Sequence, residues 1–130
     1  MDVLDTGRIR ISPHEGKYLL FTLYAEGEVT SGDMDKIREY LGRFDGKAPL
    51  LVVRECYYSF SSEAMMIMMK EAGDLISAVA YVDRSSQDTL LSEYAKMTYL
   101  RDLPVQSFMT REEAEAWIEE FSPLPAFASA

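Results

Sequence analysis

The sequence predicts an α/β fold: a mixed, mainly parallel five-stranded sheet with helices, in the order β-β-α-β-α-β-α-β-α. Three observations lead there. Leu50–Val53 and Ile76–Val82 are short, almost uninterrupted apolar runs, the pattern of strands buried on both faces of a parallel sheet. Apolar residues at three- and four-residue spacing fill the segments around them, as amphipathic helices do. Arg8–Ile11 and Tyr18–Tyr24, separated by turn residues, read as a β-hairpin added at the start.

In the hairpin, Arg8–Ile11 alternates charged and apolar residues, the mark of a half-exposed strand on or near an edge, and Pro13-His14-Glu15-Gly16 is the turn. Thr30 with Asp33 predicts a capped helix start, and Met34, Ile37, Leu41 and Phe44 form its inward stripe. Asp45-Gly46 ends that helix and Pro49 opens the next strand. The second helix spans about Ser61–Ala72, with Met65, Met68, Met69 and Ala72 on one face and Gly73 as its C-terminal cap. Ser85 or Ser86 caps a third helix over about Gln87–Leu100, whose apolar face is Leu90, Leu91, Tyr94 and Met97. Pro104–Phe108, short and led by proline, suits the far edge. Thr110 and Glu113 cap the last helix, with Met109 and Ala114 as a hydrophobic staple and Ala114, Trp117, Ile118 and Phe121 facing inward. The tail Ser122–Ala130, with two prolines and no charge, either frays or lies on an apolar surface.

Composition narrows the function. At 130 residues, 48% hydrophobic and 27% charged, the chain suits one globular domain. Its formal charge of −9 opposes nucleic acid and anionic membranes, which need a basic footprint. No window approaches about 18 apolar residues, so no membrane insertion is expected. The acidic N-terminus is unlike a signal peptide, and the single cysteine fits a reducing, cytoplasmic setting. One cysteine and one histidine fall short of the ligands a structural zinc site needs. No catalytic triad, phosphate loop or dinucleotide fingerprint occurs, so neither an enzymatic activity nor a cofactor is expected.

The candidate site is the stretch Pro49–Ser62. A buried strand that ends in Arg54-Glu55-Cys56-Tyr57-Tyr58 and feeds a helix N-terminus is where open α/β sheets bind ligands. Ser61 and Ser62 read as N-caps, or as an anion or phosphorylation site favoured by the helix dipole. Cys56 reads as a structural thiol because nucleophilic catalysis needs a base, and His14 sits in the distant hairpin turn. The run Met65-Met66-Ile67-Met68-Met69 is too continuous for one helical face to bury. With Tyr57, Tyr58 and Phe60 it outlines an interaction surface in which Tyr57, Tyr58, Phe60, Met65, Met66 and Met69 are the contact candidates. Glu112, Glu113, Glu115, Glu119 and Glu120 form a solvated helix face.

Ile76-Ser77-Ala78-Val79-Ala80-Tyr81-Val82, and Phe108-Met109-Thr110-Arg111-Glu112-Glu113-Ala114-Glu115-Ala116-Trp117-Ile118, resemble two segments of the SpoIIAA-like family. These are small bacterial relatives of the STAS domain and of the Sec14-type lipid-binding fold. The resemblance extends to the order of elements over about residues 7–121 and implies a STAS-like (SpoIIAA-like) fold. In STAS anti-sigma-factor antagonists a phosphorylatable serine starts the helix after the third strand, and Ser61 and Ser62 fall at that place. The resulting expectation is a non-enzymatic regulatory or protein-interaction module working through Tyr57–Met69. The alternative is a carrier or sensor of a small apolar ligand, by analogy with Sec14-type proteins. Because strands apolar on both faces need cover on both sides, a homodimer is also expected, through the methionine-rich helix or the tail.

Overall fold

The computed structural model describes residues 3–128. Its strands are β1 (Leu4–Asp5), β2 (Ile9–His14), β3 (Tyr18–Leu23), β4 (Gly27–Val29), β5 (Ala48–Arg54), β6 (Tyr58–Phe60), β7 (Ile76–Val82) and β8 (Val105–Phe108). Its helices are α1 (Ser31–Gly42), α2 (Ser62–Leu75), α3 (Ser86–Met97) and α4 (Arg111–Ile118), the last followed by one 3-10 turn (Glu119–Phe121). The main sheet has six strands in the order β1-β2-β3-β5-β7-β8, and β4 and β6 pair as a separate two-stranded sheet. From β3 to β8 every pairing is parallel; β1, β2 and β3 pair antiparallel.

The expected mixed, mainly parallel architecture is present, with one more strand in the main sheet than expected and a small second sheet. The additions are two or three residues long, too short to declare a period. Leu4–Asp5 covers the edge of β2. The hairpin turn lies one residue later than expected: Pro13 and His14 remain in β2, and the Lys17 N–H donates to the His14 carbonyl at 2.9 Å. Glu15 and Gly16, at φ +52° and +69°, take the two left-handed positions of a tight hairpin turn.

The crossovers β3-α1-β5, β5-α2-β7 and β7-α3-β8 step in one direction, so α1, α2 and α3 share a face of the sheet. Ile37, Leu41, Phe44, Leu50, Val52, Val79, Ala95 and Tyr99 belong to the core on that side. α4 covers the other face, where Ala114 and Ile118 meet Tyr18, Leu51, Ala78 and Ala80. Alanines at Ala78, Ala80 and Ala114 let helix and sheet approach closely. Trp117 is half-buried, against Phe108 and Phe121, so Ala114 and Ile118 are the anchors of α4.

The tail packs on the first core rather than over the sheet. Leu124 is buried there, Phe127 meets Tyr40 and Phe44, and Asp45 N–H donates to the Ala126 carbonyl at 2.7 Å. The last two residues of that tail lie outside the described residues. Among the described residues, no helix is long and apolar enough to cross a membrane.

Candidate interaction surface and the buried polar network

α2 begins as its sequence dictates. Ser61 is the N-cap, its Oγ accepting the Ala64 N–H at 3.1 Å, while Ser62 is the first helical residue and exposed. The helix does not stop at Gly73: it runs to Leu75 and passes directly into β7 at Ile76. Its inward side is Ala64, Met68, Ala72 and Leu75, a spacing of four, four and three. Met66 and Met69 are 68% and 52% exposed, so Met69 departs from the inward face expected of it.

The six contact candidates separate into two groups. Tyr57, Met66 and Met69 are exposed; Tyr58, Phe60 and Met65 are half-buried and pack against the core. The physical reason is β6. Pairing of Tyr58–Phe60 with Gly27–Val29 turns Tyr58 and Phe60 to the same side, toward the core, and leaves Ser59 outside. The Tyr-Ser-Phe alternation carried that signal.

α3 turns three of its four expected inward residues outward. Leu90, Tyr94 and Met97 are 72%, 52% and 74% exposed, Leu91 is half-buried, and the buried side is Asp88, Ser92 and Ala95. Both stripes have helical spacing, and the polar one is inside because Arg54 waits there. Arg54 ends β5 at 1% exposure. Its Nη1 donates to Asp83 Oδ1 at 3.1 Å, to Ser92 Oγ at 2.9 Å and to the Asp88 carbonyl at 3.4 Å. Ser92 Oγ–H donates in turn to Asp83 Oδ1 at 2.7 Å. Nε donates to Tyr58 Oη at 3.0 Å, and the guanidinium lies 4.3 Å from the Tyr81 ring centre. Nη2 is buried without a hydrogen-bond partner among the described residues.

Burial opposes the Arg54 charge, but Tyr58, Tyr81 and Asp83 outweigh it, and the pKa is raised. Asp88 is likewise desolvated, but Arg84 overrides this through its backbone N–H, its Nε at 2.8 Å and its Nη2 at 3.1 Å, lowering the carboxyl pKa. Burial lifts Tyr81 well above the usual phenol range, and Tyr99, whose hydroxyl hydrogen-bonds Tyr81, is raised as well. Sequence reasoning missed this network; its one signal was a charge at the end of an otherwise apolar strand.

Cys56 is partly buried, its Sγ 3.6 Å from the Leu23 carbonyl. Burial first, then Glu26, pushes the thiol pKa up, away from the thiolate. His14 lies at the hairpin, stacked on Tyr18, with Nε2 3.9 Å from Glu115. Glu112, Glu113, Glu119 and Glu120 are exposed as expected, whereas Glu115 accepts the buried Tyr18 hydroxyl at 2.8 Å.

A mainly parallel sheet with three helices on one side and one on the other makes this a SpoIIAA-like α/β fold. It is similar to the structure of an uncharacterized protein from the DUF3478 family with a SpoIIAA-like fold from Shewanella loihica PV-4. The TM-score is 0.58 at 18% identity, over 85% of this chain and 91% of that one. Residues 20–122 match the family described as Domain of unknown function (DUF7793), and the chain belongs to it. No curated protein matches the sequence.

Proposed function

We propose that this chain is a non-enzymatic protein-interaction module whose working surface joins Tyr57, Met66 and Met69 to Leu90, Tyr94 and Met97. The observation that carries this reading is where apolar exposure concentrates. Among the described residues eight large apolar side chains are exposed, and these six belong to the lead into α2, to α2 itself or to α3. Contacts link the lead into α2, rather than α2 itself, to α3 and its end. The Tyr57 hydroxyl lies 3.3 Å from Gln87 Oε1 at the start of α3, and Tyr94, Tyr99, Phe60 and Tyr58 form a chain of ring contacts at its end. Concentrated exposed apolar side chains of this kind mark docking sites, and methionine and tyrosine are favoured at them.

The proposed occupant is a protein presenting an apolar helix flanked by basic residues. Glu63 shares a helical face with Met66, and Glu93 lies one turn from both Leu90 and Met97. With a net charge of −9, the chain attracts such a partner and repels a second copy of itself. A pull-down from host extract tests this with Leu90→Glu/Met97→Glu, using Met109→Glu, exposed beside α4, as the control. The first variant is expected to lose a partner that wild type and control both retain, while all three keep the same circular dichroism. Equal capture by both variants would overturn the reading.

A further inference from the structure

Beneath α2 lies an apolar cavity of about 80 Å3 that the docking surface does not use. β3, β5 and β7 form its floor, and Met34 of α1 with Ile67, Met68 and Ala72 of α2 enclose it. Its polar ends differ. Arg38 and Glu71, both part-exposed, stand at one end and bridge α1 to α2. Tyr58, Tyr81 and Tyr99 close the other, and both Tyr58 and Tyr81 touch the Arg54 guanidinium.

That second end offers one donor: Tyr58, which lines the cavity, accepts from Arg54 Nε through its Oη and keeps its own hydrogen to donate. The charges nearby already cancel, Arg54 against Asp83 and Arg84 against Asp88. An ionised ligand group would therefore enter the core unpaired, at high cost. A neutral oxygen acceptor would meet a donor at once.

We propose that this cavity binds a small, uncharged, mostly apolar molecule carrying one acceptor oxygen, such as a ketone or ester of about four to six carbons. Tyr58 donates to its oxygen and the methionines close on its hydrocarbon. Size sets the limit: an engineered apolar cavity of about 150 Å3 holds benzene. Half that volume takes a ring of five or six atoms only because flexible methionines in its wall can yield.

Methyl-labelled methionine NMR tests this with cyclopentanone, cyclopentane and pentanoate as probes. Cyclopentanone is expected to shift the Met34 and Met68 methyls saturably and to leave the exposed Met97 and Met109 unmoved. Cyclopentane should bind roughly tenfold more weakly, one hydrogen bond's worth, and pentanoate more weakly than cyclopentanone. Tyr58→Phe should erase the preference for cyclopentanone while cyclopentane still binds. Ala72→Leu, which fills the cavity, should abolish both; it decides the matter if Tyr58→Phe does not fold. No saturable shift at Met34 and Met68, equal shifts at the surface methionines, pentanoate binding as tightly as cyclopentanone, or binding that survives Ala72→Leu would each overturn the proposal.

Discussion

Arg54 is the residue on which the interior of one sheet face depends. A guanidinium at 1% exposure is tolerated because Asp83 compensates its charge and Ser92 links the two. Removing one partner is worse than removing both, since a lone buried charge remains. Asp83→Ala is therefore expected to cost about 3–5 kcal/mol in urea denaturation, whereas Arg54→Met/Asp83→Leu, with no charge left to strand, costs markedly less. If the double variant is as unstable as the single one, shape rather than charge holds this site. The same network explains the orientation of α3. Ser92 turns its hydroxyl inward to Arg54, and the Asp88 carbonyl accepts from the same guanidinium while the Asp88 carboxylate is held by Arg84. The apolar stripe Leu90, Tyr94, Met97 is left to solvent. The apolar periodicity of α3 could not reveal this, because the deciding residue lies more than thirty positions earlier in the chain.

Elements whose signals are local were legible. Thr30 and Asp33 form a reciprocal capping box at α1, with bonds of 3.3 and 3.0 Å. Met34, Ile37, Leu41 and Phe44 are all buried as their spacing demands. At α4, Thr110 Oγ1 accepts the Glu113 N–H at 3.3 Å and donates to Glu113 Oε1 at 2.9 Å. Thr110→Ala should thus cost about 1 kcal/mol, while Thr110→Ser, which keeps the oxygen, stays near neutral. Equal losses in a thermal melt would show that the methyl group, not the hydroxyl, matters. Less legible were elements that depend on a partner. β1, β4 and β6 are too short to show a period, and only pairing makes them strands. Gly73 looked like a stop, yet α2 passes through it because the chain enters β7 only three residues later. Of the candidate surface, the two residues that β6 turns inward, Tyr58 and Phe60, were marked only by a three-residue alternation, too short to declare a strand without its partner β4.

Taken whole, the molecule has helices on both faces of its sheet, and each face holds tyrosine hydroxyls away from water. Burial pushes Tyr18, on the α4 side, up to about 12 from an ordinary 10.0, and raises Tyr81 and Tyr99 on the other. In the unfolded chain these phenols ionise near 10, so above that pH the unfolded state binds fewer protons than the native one. Their contribution is complete below pH 10 and declines as pH rises through the folded values. Stability is expected to fall from pH 10 upward, and tyrosinate absorbance from these residues to appear together with unfolding; ionisation in advance of unfolding would show the rings to be accessible. Cover on both faces also bears on association. The case for a homodimer rested on a sheet face short of cover, and α4 supplies that cover from within the chain. Of the eight large apolar side chains exposed among the described residues, six make up the surface of Tyr57, Met66, Met69, Leu90, Tyr94 and Met97, for which a basic-flanked partner is the proposed occupant and a second copy the alternative. Ionic strength separates the two occupants. Screening weakens attraction between opposite charges and relieves repulsion between like ones, over a Debye length of about 10 Å at 0.1 M and about 3 Å at 1 M. Sedimentation equilibrium at micromolar concentration is expected to show a monomer at low salt, with any self-association appearing as salt rises and vanishing in Met97→Glu. A dimer that is tight at low salt and indifferent to Met97→Glu would place self-association on another surface and remove the electrostatic argument for a basic partner.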